Sequence, residues 1–159
     1  MEDRIRAAVD ARNDSRFVIM ARTDAVAVEG LDAAVDRVRC YVEAGADMIF
    51  PEALTNLEHF QRFSEVGSVP ILANLTEFGC TPIHSLEEIR TAKVSLALYP
   101  LSAFRVMSAV ATATYKELRE RGTQLELIER MQTRDVLYKV LDYQFYENRI
   151  EEIQNRTKR

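Results

Sequence analysis

The chain has 159 residues, of which 47% are hydrophobic and 29% are charged, and its formal net charge is -4 at pH 7. This length and composition fit one globular domain that can bury a core. The negative balance argues against proteins that bind nucleic acid or adsorb to membranes, because both classes usually present clustered positive charge. No apolar run approaches the ~18 residues that a membrane-spanning helix needs. An anionic ligand would therefore require local positive charge in a cleft.

The two cysteines and the first residues of the chain bear on its compartment. Cys40 and Cys80 do not have the spacing of a metal site or a redox pair. Charged residues 2–4 follow Met1, which is unlike a secretory signal peptide. These features indicate a reducing environment, and we expect a cytoplasmic protein.

Four short apolar runs predict four strands, at residues 17–21, 47–50, 69–73 and 94–99. The runs do not alternate between apolar and polar residues. Nearly continuous apolar sequence is typical of strands that are buried on both faces in a parallel sheet.

Helical patterns separate these runs. Apolar residues recur at helical spacing over residues 31–44, and Gly45 is the expected C-cap. Thr55–Glu58 and Ser85–Glu88 each have the pattern of a capping box, and the second helix should end near Ala92. Strands that alternate with helices at this spacing predict right-handed βαβ units and a parallel sheet.

The sequence after the fourth run is helical. A long helix is predicted over residues 102–121 with its end at Gly122, and Thr123–Glu126 caps a further helix. Another helical stretch covers residues 133–143, and the charged tail beyond Asn148 is either a solvated helix or frayed.

Two architectures accommodate four parallel strands of this kind. An open doubly wound sheet would have helices on both faces. Half of an eight-stranded barrel would have helices on one face, and would expose the other face and two strand edges. Polar residues crowd the carboxyl ends of the strands, where barrel enzymes have their active sites, so the pattern favours the half-barrel.

Each predicted strand delivers polar side chains to that rim. They are Arg22 and Asp24 after the first strand, Glu52 after the second, Asn74, Thr76 and Glu77 after the third, and Ser102 and Arg105 after the fourth. Arginine can form forked hydrogen bonds to carboxylates, which lysine matches less well. Asn74 and Thr76 could donate to another carboxylate, and Glu52 could accept from a substrate hydroxyl or a metal-bound water.

Each of these side chains also has a purely structural explanation. The alternatives are an ion pair between Arg22 and Asp24, a helix cap at Glu52, loop hydrogen bonds at Asn74, a turn at Thr76 and a solvent-facing Arg105. The shared rim, more than any one residue, therefore supports a binding site.

Several long blocks at these strand ends resemble one known family. They are MARTDA (residues 20–25), FPEA (50–53), PILANLTEFG (70–79), ALYPLSAFR (97–105), and MQTR (131–134) followed by Tyr138. The blocks closely resemble the methylisocitrate lyases of the isocitrate lyase and phosphoenolpyruvate mutase superfamily. The similarity extends from Ile5 to about Tyr146.

The resemblance implies an α/β fold, the C-terminal half of a (β/α)8 TIM-type barrel. Residues 1–122 would form the last four β/α units, and residues 123–159 would be a helical extension of the same partial domain. It also implies a carbon–carbon lyase that cleaves the tricarboxylate 2-methylisocitrate to pyruvate and succinate in propionate breakdown, with Mg2+. The family enzyme is a homotetramer in which the C-terminal helices contact a neighbouring subunit.

The resemblance further assigns roles to individual residues. The implied substrate contacts are Arg22, Glu52, Asn74, Leu75, Thr76, Arg105 and Arg134. Arg22 and Glu52 would also be catalytic, with Arg22 stabilising charge that develops on the pyruvate fragment beside the metal. Phe50, Leu98 and Pro100 resemble the pocket for the substrate methyl group, where one extra carbon changes the preference by only ~1–3 kcal/mol.

The chain departs from the family pattern in a large way. The SGG substrate loop, the metal-binding aspartates and the catalytic cysteine of a KKCGH block are absent from this sequence, and Cys80 lies in a different loop. Direct Mg2+ ligands are therefore expected in the N-terminal half, with Glu52 contributing at most through water. We expect the chain alone to be inactive. Alternatives are another superfamily member, such as an isocitrate-, phosphonopyruvate- or oxaloacetate-processing enzyme, or a non-catalytic folded remnant.

Overall fold

The computed structural model describes residues 1–66 and 68–157. The helices are α1 (Glu2–Ala11), α2 (Val26–Glu29), α3 (Leu31–Glu43), α4 (Leu57–Ser64), α5 (Leu86–Thr91), α6 (Ser102–Arg121), α7 (Arg134–Val140) and α8 (Tyr143–Thr157), with a 3-10 helix at Leu125–Arg130. The strands are β1 (Met20–Thr23), β2 (Met48–Pro51), β3 (Leu72–Asn74) and β4 (Leu96–Leu98). None of the described helices has the length and apolarity to cross a membrane.

The chain forms two compact units, Met1–Val106 and Met107–Arg159. The division falls inside α6, whereas the family resemblance divides the chain after residue 122. All four strands belong to the first unit. The second unit is helical throughout its described part.

The four strands are parallel and follow one another in space in chain order. β1 pairs with β2, with Arg22 opposite Phe50, and β3 pairs with β4. A single bridge between Ile49 and Ile71 joins the two pairs. A doubly wound sheet reverses its strand order at a switch point, and these strands do not. The order is that of a barrel segment.

One face of these strands carries the core, and helices α3, α4 and α5 pack on that face. Ala21, Ile49 and Ala73 lie in the buried cluster. Three helices add side chains to the same cluster. These side chains are Val35 and Val38 of α3, Phe60 and Phe63 of α4, and Ile89 of α5. Neighbouring strand residues point to the opposite face, where Arg22 and Leu98 are exposed. The expected half-barrel is confirmed, but the expectation that its strands are buried on both faces is wrong.

The first strand begins later than its apolar run predicts. β1 starts at Met20. Phe17 and Val18 lie before the sheet, and their side chains are 68% and 50% exposed. Arg12 Nη1 donates a hydrogen bond to the carbonyl oxygen of Phe17 at 3.0 Å, so this segment is tied to the loop after α1. The other three strands overlap their predicted runs.

Most helix ends agree with the sequence, and one N-terminal cap does not. Gly45 follows α3 with a positive φ of 103°, and Ser85 forms the full capping box with Glu88. The predicted cap at Thr55 is wrong by one residue. Asn56 is the N-cap of α4, and its side chain accepts from the His59 amide, because an amide oxygen one position later reaches the same turn.

In the second unit, two of the predicted helical stretches are corrected. Thr123 does not cap an α-helix: it accepts from the Leu125 amide, and a 3-10 helix follows from Leu125. The single stretch predicted over residues 133–143 is two helices, α7 and α8, separated at Asp142 with its positive φ of 49°. The charged tail belongs to α8 as far as Thr157, and residues 158–159 lie outside the described part.

Candidate active site

The carboxyl ends of the four strands form one edge of the first unit. Backbone pairing continues just past the strands, since Glu52 N–H donates to Thr23 O and Leu75 N–H donates to Leu98 O, both at 2.9 Å. These bonds fix the backbone of the residues that follow β2 and β3. The polar side chains that extend from this backbone are therefore attached to a well-defined main chain.

Arg22 lies at the centre of the β1–β2 side of this edge. Its Nε and Nη2 donate to the two oxygens of Asp24 at 2.7 and 3.1 Å, and Nη2 lies 3.4 Å from Glu52 Oε2. The hydrogen bonds between Arg22 and Asp24 lower the pKa of the carboxyl and raise the pKa of the guanidinium. The guanidinium also stands 5.0 Å from the ring centre of Phe50. Arg22 therefore forms the ion pair with Asp24 that was the structural alternative, and it also contacts Glu52 at the rim.

Glu52 connects Arg22 to the residues after β3. Asn74 Nδ2 donates to Glu52 Oε2 at 3.4 Å, and Thr76 Oγ1 donates to Asn74 Oδ1 at 2.7 Å. Arg22, Glu52, Asn74 and Thr76 thus form a continuous row across three strand ends. The contacts at 3.4 Å are long for hydrogen bonds, so a ligand with better geometry could replace them.

Arg105 joins the edge from the first turn of α6. Its Nε lies 3.5 Å from Glu77 Oε2, and its guanidinium carbon lies 5.2 Å from the ring centre of Phe78. Ser102 Oγ donates to the other oxygen of Glu77. The Ser102 hydrogen bond, more than the charge of Arg105, lowers the pKa of Glu77. Sequence reasoning put Glu77 and Ser102 at the strand ends but gave neither a role.

The remaining predicted contacts have different surroundings. Phe50 is half-buried beside Arg22, whereas Leu98 and Pro100 are exposed at and after the end of β4. The Leu75 side chain is buried in the core, so only its backbone faces this edge. Arg134 is the exposed first residue of α7 in the second unit. The binding roles of all five residues stay predictions.

The donors on this edge do not by themselves make a magnesium site. Among the described residues, no group of three or more Asp, Glu, His or Cys side chains could hold a metal ion. Mg2+ prefers near-octahedral oxygen coordination. The Glu52 Oε2 atom on this edge already faces Arg22 and Asn74. The residues present do not fit the metal without further ligands.

Residues 1–119 match the family model described as phosphoenolpyruvate phosphomutase. The chain belongs to this family. The match covers the described strands and nearly all of α6.

Among named relatives, the chain is similar to 2-methylisocitrate lyases from several organisms. It is 58% identical to that of Salmonella typhimurium over 151 residues, covering 95% of this chain and 51% of that protein. It is 43% identical to that of Aeropyrum pernix over 153 residues, covering 96% of this chain and 49% of that protein. The chain spans about half the length of the curated relatives it matches.

Solved structures agree on the fold. A 2,3-dimethylmalate lyase, described as a member of the PEP mutase/isocitrate lyase superfamily, superposes with a TM-score of 0.81 at 29% identity, over 94% of this chain and 54% of that chain. A phosphoenolpyruvate phosphomutase from Streptomyces platensis subsp. rosaceus superposes with a TM-score of 0.80 at 21% identity, over 95% of this chain and 53% of that chain, which speaks for the fold alone. Both likenesses cover about half of the larger protein, as a half-barrel does.

Proposed function

We propose that this chain is the substrate-binding half of a 2-methylisocitrate lyase. The observation that carries the proposal is the row of Arg22, Glu52, Asn74 and Thr76 across three strand ends, with Arg105 on the same edge. The identity of 43–58% with proteins of that name supports this substrate over those of more distant members.

The substrate carries three carboxylates, and the chain offers matching donors. Arg22 and Arg105 present guanidinium groups, which bind carboxylates through paired hydrogen bonds. The Asn74 amide and the Thr76 hydroxyl are uncharged donors for a neighbouring carboxylate. The family resemblance also implies a substrate contact for Arg134 of α7, and that role stays a proposal.

The reaction breaks one carbon–carbon bond. The substrate hydroxyl passes its proton to Glu52, its oxygen forms the keto group of pyruvate, and the bonding pair passes to the carbon that becomes one methylene of succinate. That carbon then takes up a proton. Glu52 accepts a hydrogen bond from the reacting hydroxyl, and the cation of Arg22 stabilises negative charge on the same oxygen.

Two parts of this chemistry must come from outside the chain. The family resemblance places the acid that delivers the final proton, and the direct ligands of Mg2+, in an N-terminal half. The partner that we propose is therefore that half, in an assembly that is a tetramer in the complete family enzyme and resides in the cytoplasm.

A complementation assay tests the proposal. The chain is mixed with the purified N-terminal half of the Salmonella typhimurium relative, and pyruvate release from 2-methylisocitrate is measured with MgCl2 present. We expect activity from the mixture, none from either half alone, and a loss of at least about 100-fold with Arg22→Ala, as for removal of one stabilising donor. Cleavage by the chain alone, or an inactive mixture of folded halves, would contradict the proposal.

A panel of related acids in the same assay checks the substrate. The likeness to 2,3-dimethylmalate lyase makes 2,3-dimethylmalate the informative competitor. A higher kcat/KM for that dicarboxylate than for 2-methylisocitrate would contradict the proposed substrate and would indicate a different activity within the superfamily.

A further inference from the structure

We infer that Glu77, held by Ser102, is a positioning residue that aims Arg105 at a substrate carboxylate. This inference rests on the proposed function and concerns the same edge of the first unit. Glu77 is the third residue after β3, and Ser102 and Arg105 lie in the first turn of α6. One carboxylate thus connects the third strand end to the helix that carries the arginine.

The two oxygens of Glu77 have separate tasks. Oε1 accepts the hydrogen bond from Ser102 Oγ. Oε2 is buried and accepts no hydrogen bond from any other described residue, yet it lies 3.5 Å from Nε of Arg105. A buried carboxylate oxygen without a hydrogen bond is costly, so a small movement of Arg105 towards it would be favourable.

Phe78, the residue after Glu77, packs against the face of the Arg105 guanidinium. Phe78 has a positive φ of 64° and a ring centre 5.2 Å from the guanidinium carbon. Its side chain is 93% exposed, so burial in the core does not explain its position. Glu77 and Phe78 therefore contact the Nε edge and one face of Arg105.

This arrangement leaves the opposite edge of the guanidinium for a ligand. Neither Nη atom of Arg105 donates a hydrogen bond to a residue in the described part of the chain. Paired Nη donors in a fixed plane match the two oxygens of a carboxylate. Arg22 differs, because Asp24 already takes its Nε and Nη2 donors.

A competing role for Glu77 predicts the opposite result. If Glu77 were a stand-in that a substrate carboxylate must displace, neutralising it would strengthen binding. If Glu77 positions Arg105, its removal weakens binding, because the guanidinium then samples several orientations. Glu77→Gln separates the two, since it removes the negative charge beside Arg105 and leaves one acceptor oxygen where the carboxylate has two.

The test uses arginine side-chain NMR and a 2-methylisocitrate titration on the full 159-residue chain. Wild type, Glu77→Gln and Ser102→Ala are compared with Glu87→Gln, a matched change at an exposed glutamate of α5. We expect the Arg105 Nε–H signal to be protected from solvent exchange in wild type and Glu87→Gln, and to lose that protection in Glu77→Gln. We expect Kd to rise roughly tenfold in Glu77→Gln, as for one misaligned charged hydrogen bond, and roughly threefold in Ser102→Ala.

Each outcome decides the inference. Equal or tighter binding by Glu77→Gln, or unchanged Nε–H protection, overturns it. If wild type binds no 2-methylisocitrate, the proposed function fails, and the protection data alone decide whether Glu77 holds Arg105. If Glu77→Gln does not fold, Ser102→Ala decides, and a wild-type value of both readouts there overturns the inference.

Discussion

Asp47 is a carboxylate outside the strand ends that connects two segments far from it in sequence. Its Oδ2 accepts from Arg12 Nη1 at 2.6 Å and from the Ile19 amide at 2.8 Å, and so ties the end of α1 to the segment before β1. The Arg12 side chain is only 18% exposed. Removing the carboxylate would leave a largely buried cation and a backbone donor without their partner.

Replacing Asp47 by alanine should therefore destabilise the first unit by about 1–3 kcal/mol, the cost of unpaired polar groups. Urea denaturation followed by circular dichroism measures this. The control is Asp36→Ala, which removes a pair with Arg39 on the surface of α3. It should change stability by less than about 0.7 kcal/mol in either direction. Equal losses in both variants would show that Asp47 is only a surface charge.

Individual contacts differ in how far the sequence reveals them. The pair between Arg22 and Asp24 joins residues two apart, so it was among the foreseen alternatives. The contact between Ser102 and Glu77 joins residues 25 apart, and no local pattern encodes it. Those two residues meet because β3 and β4 are neighbours in space. Which strands are neighbours depends on the complete fold, and local sequence patterns do not reveal it.

At the scale of single elements, the capping box of α5 makes a pH prediction. Glu88 accepts hydrogen bonds from the Ser85 amide and hydroxyl, and these bonds lower the pKa of its carboxyl. A lowered folded-state pKa means that the ionised form stabilises the helix above the unfolded-state pKa. This stabilisation is lost as the pH falls through the folded-state pKa.

The measurement is a 13C NMR titration of the Glu88 carboxyl in wild type and in Ser85→Ala. The midpoint should lie below the ordinary range for glutamate in wild type and move up towards it in the variant. The same midpoint in both proteins would mean that the capping box does not hold the carboxylate in solution.

Gly45 makes a second prediction at this scale, because it connects α3 to α1. Its φ is 103°, and a Cβ built there would lie 2.9 Å from Val9 Cγ2 of α1. Gly45→Ala should thus combine backbone strain of about 1–2 kcal/mol with a clash against a stiff valine. Gly122→Ala, with φ 67° and no atom within 4 Å of such a Cβ, measures the strain alone. The smaller loss should belong to Gly122→Ala, and the reverse order would argue against the α1–α3 contact.

The sequence predicts most elements of the first unit, and its errors have physical causes. Apolar runs locate four strands, but Phe17 and Val18 look the same as strand residues although they lie outside the sheet. A cap at Asn56 competes with one at Thr55, because both side chains can accept from the first turn. The short helix α2 lacks an apolar stripe long enough to be recognised.

At the scale of the whole molecule, the first unit has the uncovered strand face of a half-barrel. On β4, Leu96 and Leu98 are 39% and 36% exposed, unlike the strand residues on the helix-covered face. An apolar strand face without a covering layer marks an interaction surface. This exposure fits our proposal that an N-terminal half completes the barrel.

We propose that side chains at four strand ends bind one multiply anionic acid. A map of backbone amide shifts in the 15N-labelled chain during titration with 2-methylisocitrate tests this binding site. We expect saturable shifts concentrated at residues 22–25, 52–53, 74–78 and 102–105. Saturable shifts at the other end of the strands, around residues 46–47 and 69–71, or no shifts at all, would contradict it.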